Sequence, residues 1–134
     1  MTLATSGLII IQDRKLLLAF SRNKECYYLP GGKIDAGESA EDALCREIEE
    51  ELNVRLEKDD LRFYVHITAA AYGEQNGTVM EQDCFIVNRN IEPKACAEIG
   101  ALKYFSLEEY LNESANAPGA TMVLEQLKSD NFID

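Results

Sequence analysis

Apolar residues in this chain gather in short runs before residue 30 and after residue 60, with one stretch of helical period between them. Residues 3–11, LATSGLIII, and 16–21, LLLAFS, read as strands joined by the polar turn Gln12-Asp13-Arg14, which predicts a β-hairpin. Cys26-Tyr27-Tyr28-Leu29 reads as a short strand leading into Pro30 and a glycine turn. Two more strands are expected at 61–72 and 79–88, separated by Glu74-Gln75-Asn76-Gly77, where Asn-Gly is a strong turn signal. A short strand at 102–105 follows, then Ser106 as the cap of a helical SLEEYL. After Pro118-Gly119, residues 120–128 predict a helix with one apolar face.

The helical period in the middle is the most informative segment. Leu44, Ile48 and Leu52 recur every four residues with Ala40 in the same row, so one stripe packs on a core. Ser39, with Asp42 three residues on, reads as an N-cap close to a capping box, and Glu41 and Asp42 complement the positive end of the helix. Beside the stripe, Glu47, Glu50 and Glu51 stand at i, i+3 and i+4, on one side of the helix. The i,i+4 pair alone costs an isolated helix roughly 0.2–0.5 kcal/mol, and burial would raise that cost. A bound cation reverses its sign. Hard oxygen ligands favour Mg²⁺ or Mn²⁺, and Mg²⁺ typically takes one or two carboxylates with waters and phosphate oxygens. Pro30-Gly31-Gly32 and Gly37, just ahead of the cap, supply backbone freedom for a close approach to a ligand.

The order Gly32, five residues, Glu38, seven residues, then Arg46-Glu47-Ile48-Glu49-Glu50-Glu51-Leu52-Asn53-Val54 resembles the signature box of the Nudix, or MutT-related, hydrolases. One position departs from that signature, Asn53 standing where glycine is expected. Asparagine is the residue that best replaces glycine in a left-handed C-cap, so the helix end is affected more than the acidic face. The resemblance implies an α/β/α sandwich with a mixed β-sheet. Pattern alone points the same way, since strands and helices alternate without a GxGxxG or a P-loop. The resemblance also implies that Glu47, Glu50 and Glu51 ligate metal with the Gly31 carbonyl. It makes Arg46 and Glu38 the pair that braces the loop and orients the ligands, a task suited to a guanidinium fork. Lys33 and Arg22 are positioned to contact phosphate or to be simply solvated, and Tyr28, with Tyr27 and Phe20, to stack on a base or pack in the core.

Such a site implies hydrolysis of a nucleoside diphosphate linked to some group X, by attack of water on a phosphorus of the pyrophosphate bridge, with Mg²⁺ or Mn²⁺ polarising the phosphoryl oxygens. A base is needed, and a box glutamate with a free oxygen or an outside glutamate would serve. Glu98, just before a strand and helix that resemble the family's C-terminal pattern, is the first outside candidate and Glu81 the second. Small size and the lack of added motifs lean toward a nucleoside triphosphate, NTP or dNTP. ADP-ribose, a sugar nucleotide or another pyrophosphate is the alternative. A non-catalytic nucleotide-binding module would suit a broken box, and this box is whole.

Composition narrows the partners. The 134 residues, 46% hydrophobic and 28% charged, suit a single domain spanning 1–134. With 24 acidic against 13 basic residues the net charge is -11, which argues against a nucleic-acid polymer or an anionic membrane surface as partner and leaves a small metal-bound nucleotide. No run reaches the roughly 18 apolar residues of a membrane span. Cys26, Cys45, Cys84 and Cys96 form no C-x-x-C pair and follow no secretory signal, so reduced thiols in the cytoplasm are expected and structural zinc is not. The only histidine, His66, lies in FYVHITAAAY, facing the sheet surface or lining a pocket. The apolar first strand offers an edge for a homodimer.

Overall fold

The computed structural model describes residues 1–134. Its strands are β1 (Thr2–Ile9), β2 (Ile11–Gln12), β3 (Lys15–Ser21), β4 (Cys26–Tyr28), β5 (Gly31–Lys33), β6 (Leu61–Ala70), β7 (Val79–Val87) and β8 (Ile99–Phe105). Its helices are α1 (Ala40–Leu52), α2 (Leu107–Leu111) and α3 (Pro118–Ser129). One sheet runs β5-β1-β7-β6 and is mixed, because β1 and β7 are parallel while the other pairs are antiparallel. The second sheet is antiparallel and built on β3, which pairs with β2, β4 and β8.

Side-chain alternation along the strands builds two cores. Leu8 and Ile10 enter one core while Ile9 enters the other, and Leu17 parts in the same way from Leu16 and Leu18. Helix α1 covers the first core with Leu44, Ile48 and Leu52, the stripe read from the sequence. Helices α2 and α3 cover the second with Tyr110, Val123, Leu124 and Leu127. The result is the expected α/β/α sandwich with a mixed sheet, to which the second sheet is an addition. No helix is long and apolar enough to cross a membrane.

The first hairpin is shorter than expected. Asp13 and Arg14 both take positive φ, 53° and 60°, as a two-residue hairpin turn requires. Only Ile11–Gln12 pairs with β3 across it; the longer piece, β1, leaves for the other sheet and lies along β7 over eight residue pairs. A run apolar on both faces marks a central strand, and Leu8, Ile9 and Ile10 are all buried. For the same reason β1 is no dimer edge. It is flanked by β5 and β7, and the edges of that sheet are β5 and β6.

The glycine turn contains β5, antiparallel to β1 with Gly31 opposite Gly7. A Cβ on Gly31, whose φ is +139°, would lie 2.1 Å from the Ser6 carbonyl oxygen, so the close approach of the two backbones needs glycine there. β8 starts three residues earlier than the expected 102–105, and α3 takes in Pro118-Gly119 at its start. Proline at the first position costs that helix nothing, because the amide there has no helical partner.

His66 lies on the exposed outer face, its ring nitrogens 2.7 Å from Asp83 Oδ1 and 2.7 Å from Glu81 Oε1. These two carboxylates, Asp83 first, raise its pKa above the usual histidine value. The histidine therefore plays a structural part on the sheet surface.

Candidate active site

The site is assembled by the two ends of α1 and the glycine turn. Ser39 caps the start of α1, its hydroxyl accepting from the Asp42 N–H at 3.1 Å. Asn53 ends it with φ 55°, in the left-handed conformation for which asparagine stands in for glycine, its N–H donating to the Glu49 carbonyl. Between those ends, Glu47 and Glu51 point into a cleft of about 440 Å³, together with Gly31, Gly32, Tyr28 and Glu98. Its far wall is apolar, including Leu3, Met80, Ala120 and Gly119 of α3.

Glu51 is the central group. It is 8% exposed and accepts a hydrogen bond from the Gly31 N–H at 3.0 Å. Burial pushes its carboxyl up to about 8, the Gly31 N–H opposes that, and the charges of Glu47, Glu98 and Glu50 add to the rise. Burial raises Glu47 as well, against the pull of Arg46. Gly32 faces the Glu47 carboxyl so closely that a Cβ there would lie 2.5 Å from its Cδ. Glu50 is exposed beside these two, outside the cleft wall, and its charge reaches both.

Arg46 ties the glutamates to the loop. Its Nε and Nη2 donate to the two carboxylate oxygens of Glu38, each at 2.9 Å, its Nη1 to Glu47 at 2.9 Å, and Nη2 also to the Lys33 carbonyl at 3.1 Å. The fork holds Glu38 down to about 2. Asp35 joins the network, its carboxylate 3.3 Å from Arg46 and its N–H donating to Glu38. Lysine cannot make this two-pronged contact. Arg46→Lys is expected to weaken divalent-metal affinity about 10–100-fold with little change in melting temperature, read by Mn²⁺ titration in electron spin resonance.

The carboxylates do not form a finished cage, since no three of them converge on one point. Mg²⁺ typically fills much of its shell with water and phosphate and needs fewer protein ligands than a full cage. One buried and one half-buried carboxylate, Glu51 and Glu47, with further acidic groups close by, are a donor set that a hard divalent cation would satisfy.

The other residues singled out from the sequence divide. Glu98 is half-buried on the cleft wall, where its carboxylate accepts from the Ser21 hydroxyl at 3.1 Å. Glu81 points out of the cleft, bonded to His66 and to Thr68. Lys33 lines the cleft with its side chain exposed. Arg22 is not part of the cleft wall, donating to the Ala97 carbonyl at 2.8 Å. Tyr28 faces the cleft, whereas Tyr27 packs edge-on against Phe20 and Phe105 at 5.1 and 5.0 Å.

Sequence reasoning missed Lys24, Glu74 and Gln82, all on the cleft wall. Lys24 and Glu74 join two turns by an ion pair of 3.4 Å, with the ammonium 5.4 Å from the Tyr28 ring centre. No local signal marks them, because their turns are 50 residues apart. Gln82 carried one weak signal, a polar side chain in a strand otherwise turning apolar groups to the same face.

Over residues 1–126 the chain matches the sequence model of the NUDIX domain. It is 48% identical to the ADP-ribose pyrophosphatase of Methanocaldococcus jannaschii across 46 residues, 32% of this chain and 27% of that protein, so the match spans about a quarter of the relative's length. The fold is similar to that of the MutT NUDIX hydrolase from Burkholderia pseudomallei, with a TM-score of 0.77, 27% identity, and coverage of 95% of this chain and 98% of that one. It is also similar to the E. coli ORF135 protein, with a TM-score of 0.71, 25% identity, and coverage of 99% and 95%. The resemblance read between Gly32 and Val54 thus extends along most of the chain, which belongs to the NUDIX family.

Proposed function

We propose that this chain is a divalent-metal-dependent hydrolase that cleaves the pyrophosphate linkage of a nucleoside diphosphate linked to X, with a nucleoside triphosphate (NTP or dNTP) as substrate. The observation that carries this reading is Glu51, a carboxyl group buried at the head of a nucleotide-sized cleft beside Glu47, where burial disfavours ionisation and a bound cation would favour it. Glu47, Glu50, Glu51 and the Gly31 carbonyl would hold Mg²⁺ or Mn²⁺. When bound, the metal supplies charge neutralisation and polarisation of the phosphoryl oxygens.

The chain's own residues do the rest. Arg46 and Glu38 position Glu47 and the glycine loop, while Lys33 reaches a phosphate from the rim. Arg22 joins phosphate binding once released from the Ala97 carbonyl. Tyr28 offers a ring face to the substrate. Glu98, with one carboxylate oxygen occupied by Ser21 and the other free, takes the proton of the attacking water as oxygen bonds to phosphorus and the bridging oxygen leaves with the other phosphate. In this reading the protein works as one domain in the cytoplasm, in keeping with four unpaired cysteines.

A second substrate reading, ADP-ribose, is favoured by the similarity of the box region to the archaeal pyrophosphatase. A panel of NTPs, dNTPs, ADP-ribose and sugar nucleotides, assayed with Mg²⁺ and Mn²⁺, separates the two. The expected outcome is a nucleoside monophosphate plus pyrophosphate from triphosphates. AMP plus ribose 5-phosphate as the preferred products would replace the triphosphate with ADP-ribose.

A further inference from the structure

Gln82 stands on the cleft wall at 7% exposure, in the strand neighbouring β1. Its carboxamide carbonyl accepts from the Cys84 thiol at 3.7 Å, a weak partner for a buried polar group. The neighbouring buried polar residue on that wall, Thr5, is already committed, its hydroxyl donating to the Glu81 carbonyl at 3.3 Å. The amide of Gln82 is therefore the buried polar group there with most capacity left for a ligand.

Its placement fits one part of a nucleotide. Gln82 lies opposite Thr5 on β1, and two residues along β1 Gly7 lies opposite Gly31, whose N–H holds Glu51. Strands spaced by about 4.8 Å put β7 roughly 10 Å across the sheet from β5, comparable to the span from a pyrophosphate group to its base. Gly7 lets Leu29 and the Gln82 amide pack closely on β1, because a Cβ there would lie 2.5 Å from Leu29 Cδ2 and 3.1 Å from Gln82 Nε2. Around the amide the wall is apolar and continuous: Met80 Cε packs on Gly119, 2.6 Å from where a Cβ there would stand, so the two form one surface of the cleft. A planar, mostly apolar group with a polar edge suits that space.

We propose that Gln82 is the specificity-determining residue of the cleft, its carboxamide hydrogen-bonding the polar edge of a nucleobase that lies against the wall formed by Met80 and the start of α3. The inference rests on the nucleotide reading of the site and sharpens it. An amide carries both a donor and an acceptor, and a base with the wrong complement leaves one of them buried and unpaired. Sites built that way discriminate more strongly than apolar pockets do. Cytosine and uracil differ by reversal of that edge, an amino group beside an acceptor against an oxo group beside a donor, and adenine and guanine differ likewise.

The test is kcat/KM for CTP, UTP, ATP and GTP with Mg²⁺, for the wild type, Gln82→Leu and Gln82→Glu, with melting curves for each. The wild type should separate at least one amino/oxo pair by about tenfold or more, and Gln82→Leu should bring that ratio within about threefold of unity by losing the favoured base. Gln82→Glu keeps the shape and removes the donors, so at about pH 9, where it is ionised, it should move the ratio toward the amino-bearing base. Equal losses for all four nucleotides, or a wild type that does not discriminate, would overturn the role of Gln82 while leaving the hydrolase reading intact. A wild type that turns over no nucleotide overturns both. Should Gln82→Leu fail to fold, the isosteric Gln82→Glu decides alone.

Discussion

Glu51→Gln is expected to lower kcat by about a thousandfold while raising the melting temperature of the metal-free protein. Glutamine keeps the shape of the side chain and a carbonyl oxygen for the Gly31 N–H. What it removes is the charge that a cation needs, and losing several kcal/mol of electrostatic stabilisation corresponds to a rate loss of this order. It also removes a buried carboxylate crowded by Glu47, Glu98 and Glu50, so the fold gains. Opposite signs on activity and stability mark a residue kept for function at the expense of the fold. Steady-state kinetics and calorimetry on the same preparation read both. A variant as active as the wild type, or one less stable with activity lost in proportion, would contradict the role given to Glu51.

The second large effect is on stability against pH. Without a divalent cation, the Glu51 carboxyl is raised from 4.5 to about 8 on folding, so the native state keeps a proton that the unfolded state has released. Stability then falls as pH rises from about 5 to about 8 and levels off above, because the unfolded state binds fewer protons across that window. Burial of Glu51 makes the loss several kcal/mol in order of magnitude. Glu47, also raised, acts in the same direction. His66 does too, since the contribution of a raised histidine is full below its unfolded value near 6.5 and disappears as pH rises through its folded one. Glu38, lowered to about 2, acts with the opposite sign and only below about 4.5, outside the window. The difference between wild type and Glu51→Gln therefore isolates Glu51. Urea midpoints at each pH should show a steep fall for the wild type, a shallow one for Glu51→Gln, and a wild-type curve flattened by saturating Mg²⁺, which binds the ionised form.

Local chemistry made α1 legible at both ends. Ser39 as its cap, Asn53 as its left-handed terminus and the stripe of Leu44, Ile48 and Leu52 are all present as read, because caps and periodicity act within a few residues. The bracing of Arg46 by Glu38 and Glu47 is also in place. Long-range pairing was not legible. β1 pairs in parallel with β7, more than 70 residues away; its apolar run marks a strand buried on both faces but does not say which strand lies beside it. That is why a strand taken for half of a hairpin, and for a dimer edge, is the interior of a mixed sheet. β5 went unread because its residues are Gly31-Gly32-Lys33, a composition that signals a turn; the strand exists through close approach to β1 instead of propensity. In the cleft, the acidic end was legible because its residues share one helix. Lys24, Glu74 and Gln82 were not, because the fold brings them from separate turns and strands.

In the proposed function a cation held by the α1 glutamates enables hydrolysis of a phosphoric anhydride. The most direct measurement is phosphorus NMR of a nucleoside triphosphate incubated with the wild-type protein and Mg²⁺, before and after excess chelator. The expected result is loss of the triphosphate signals with growth of monophosphate and pyrophosphate, stopped by chelator and restored by Mg²⁺. Triphosphate and every other nucleotide of the panel left intact by folded, Mg²⁺-bound protein, or turnover that continues unchanged in chelator, would contradict it.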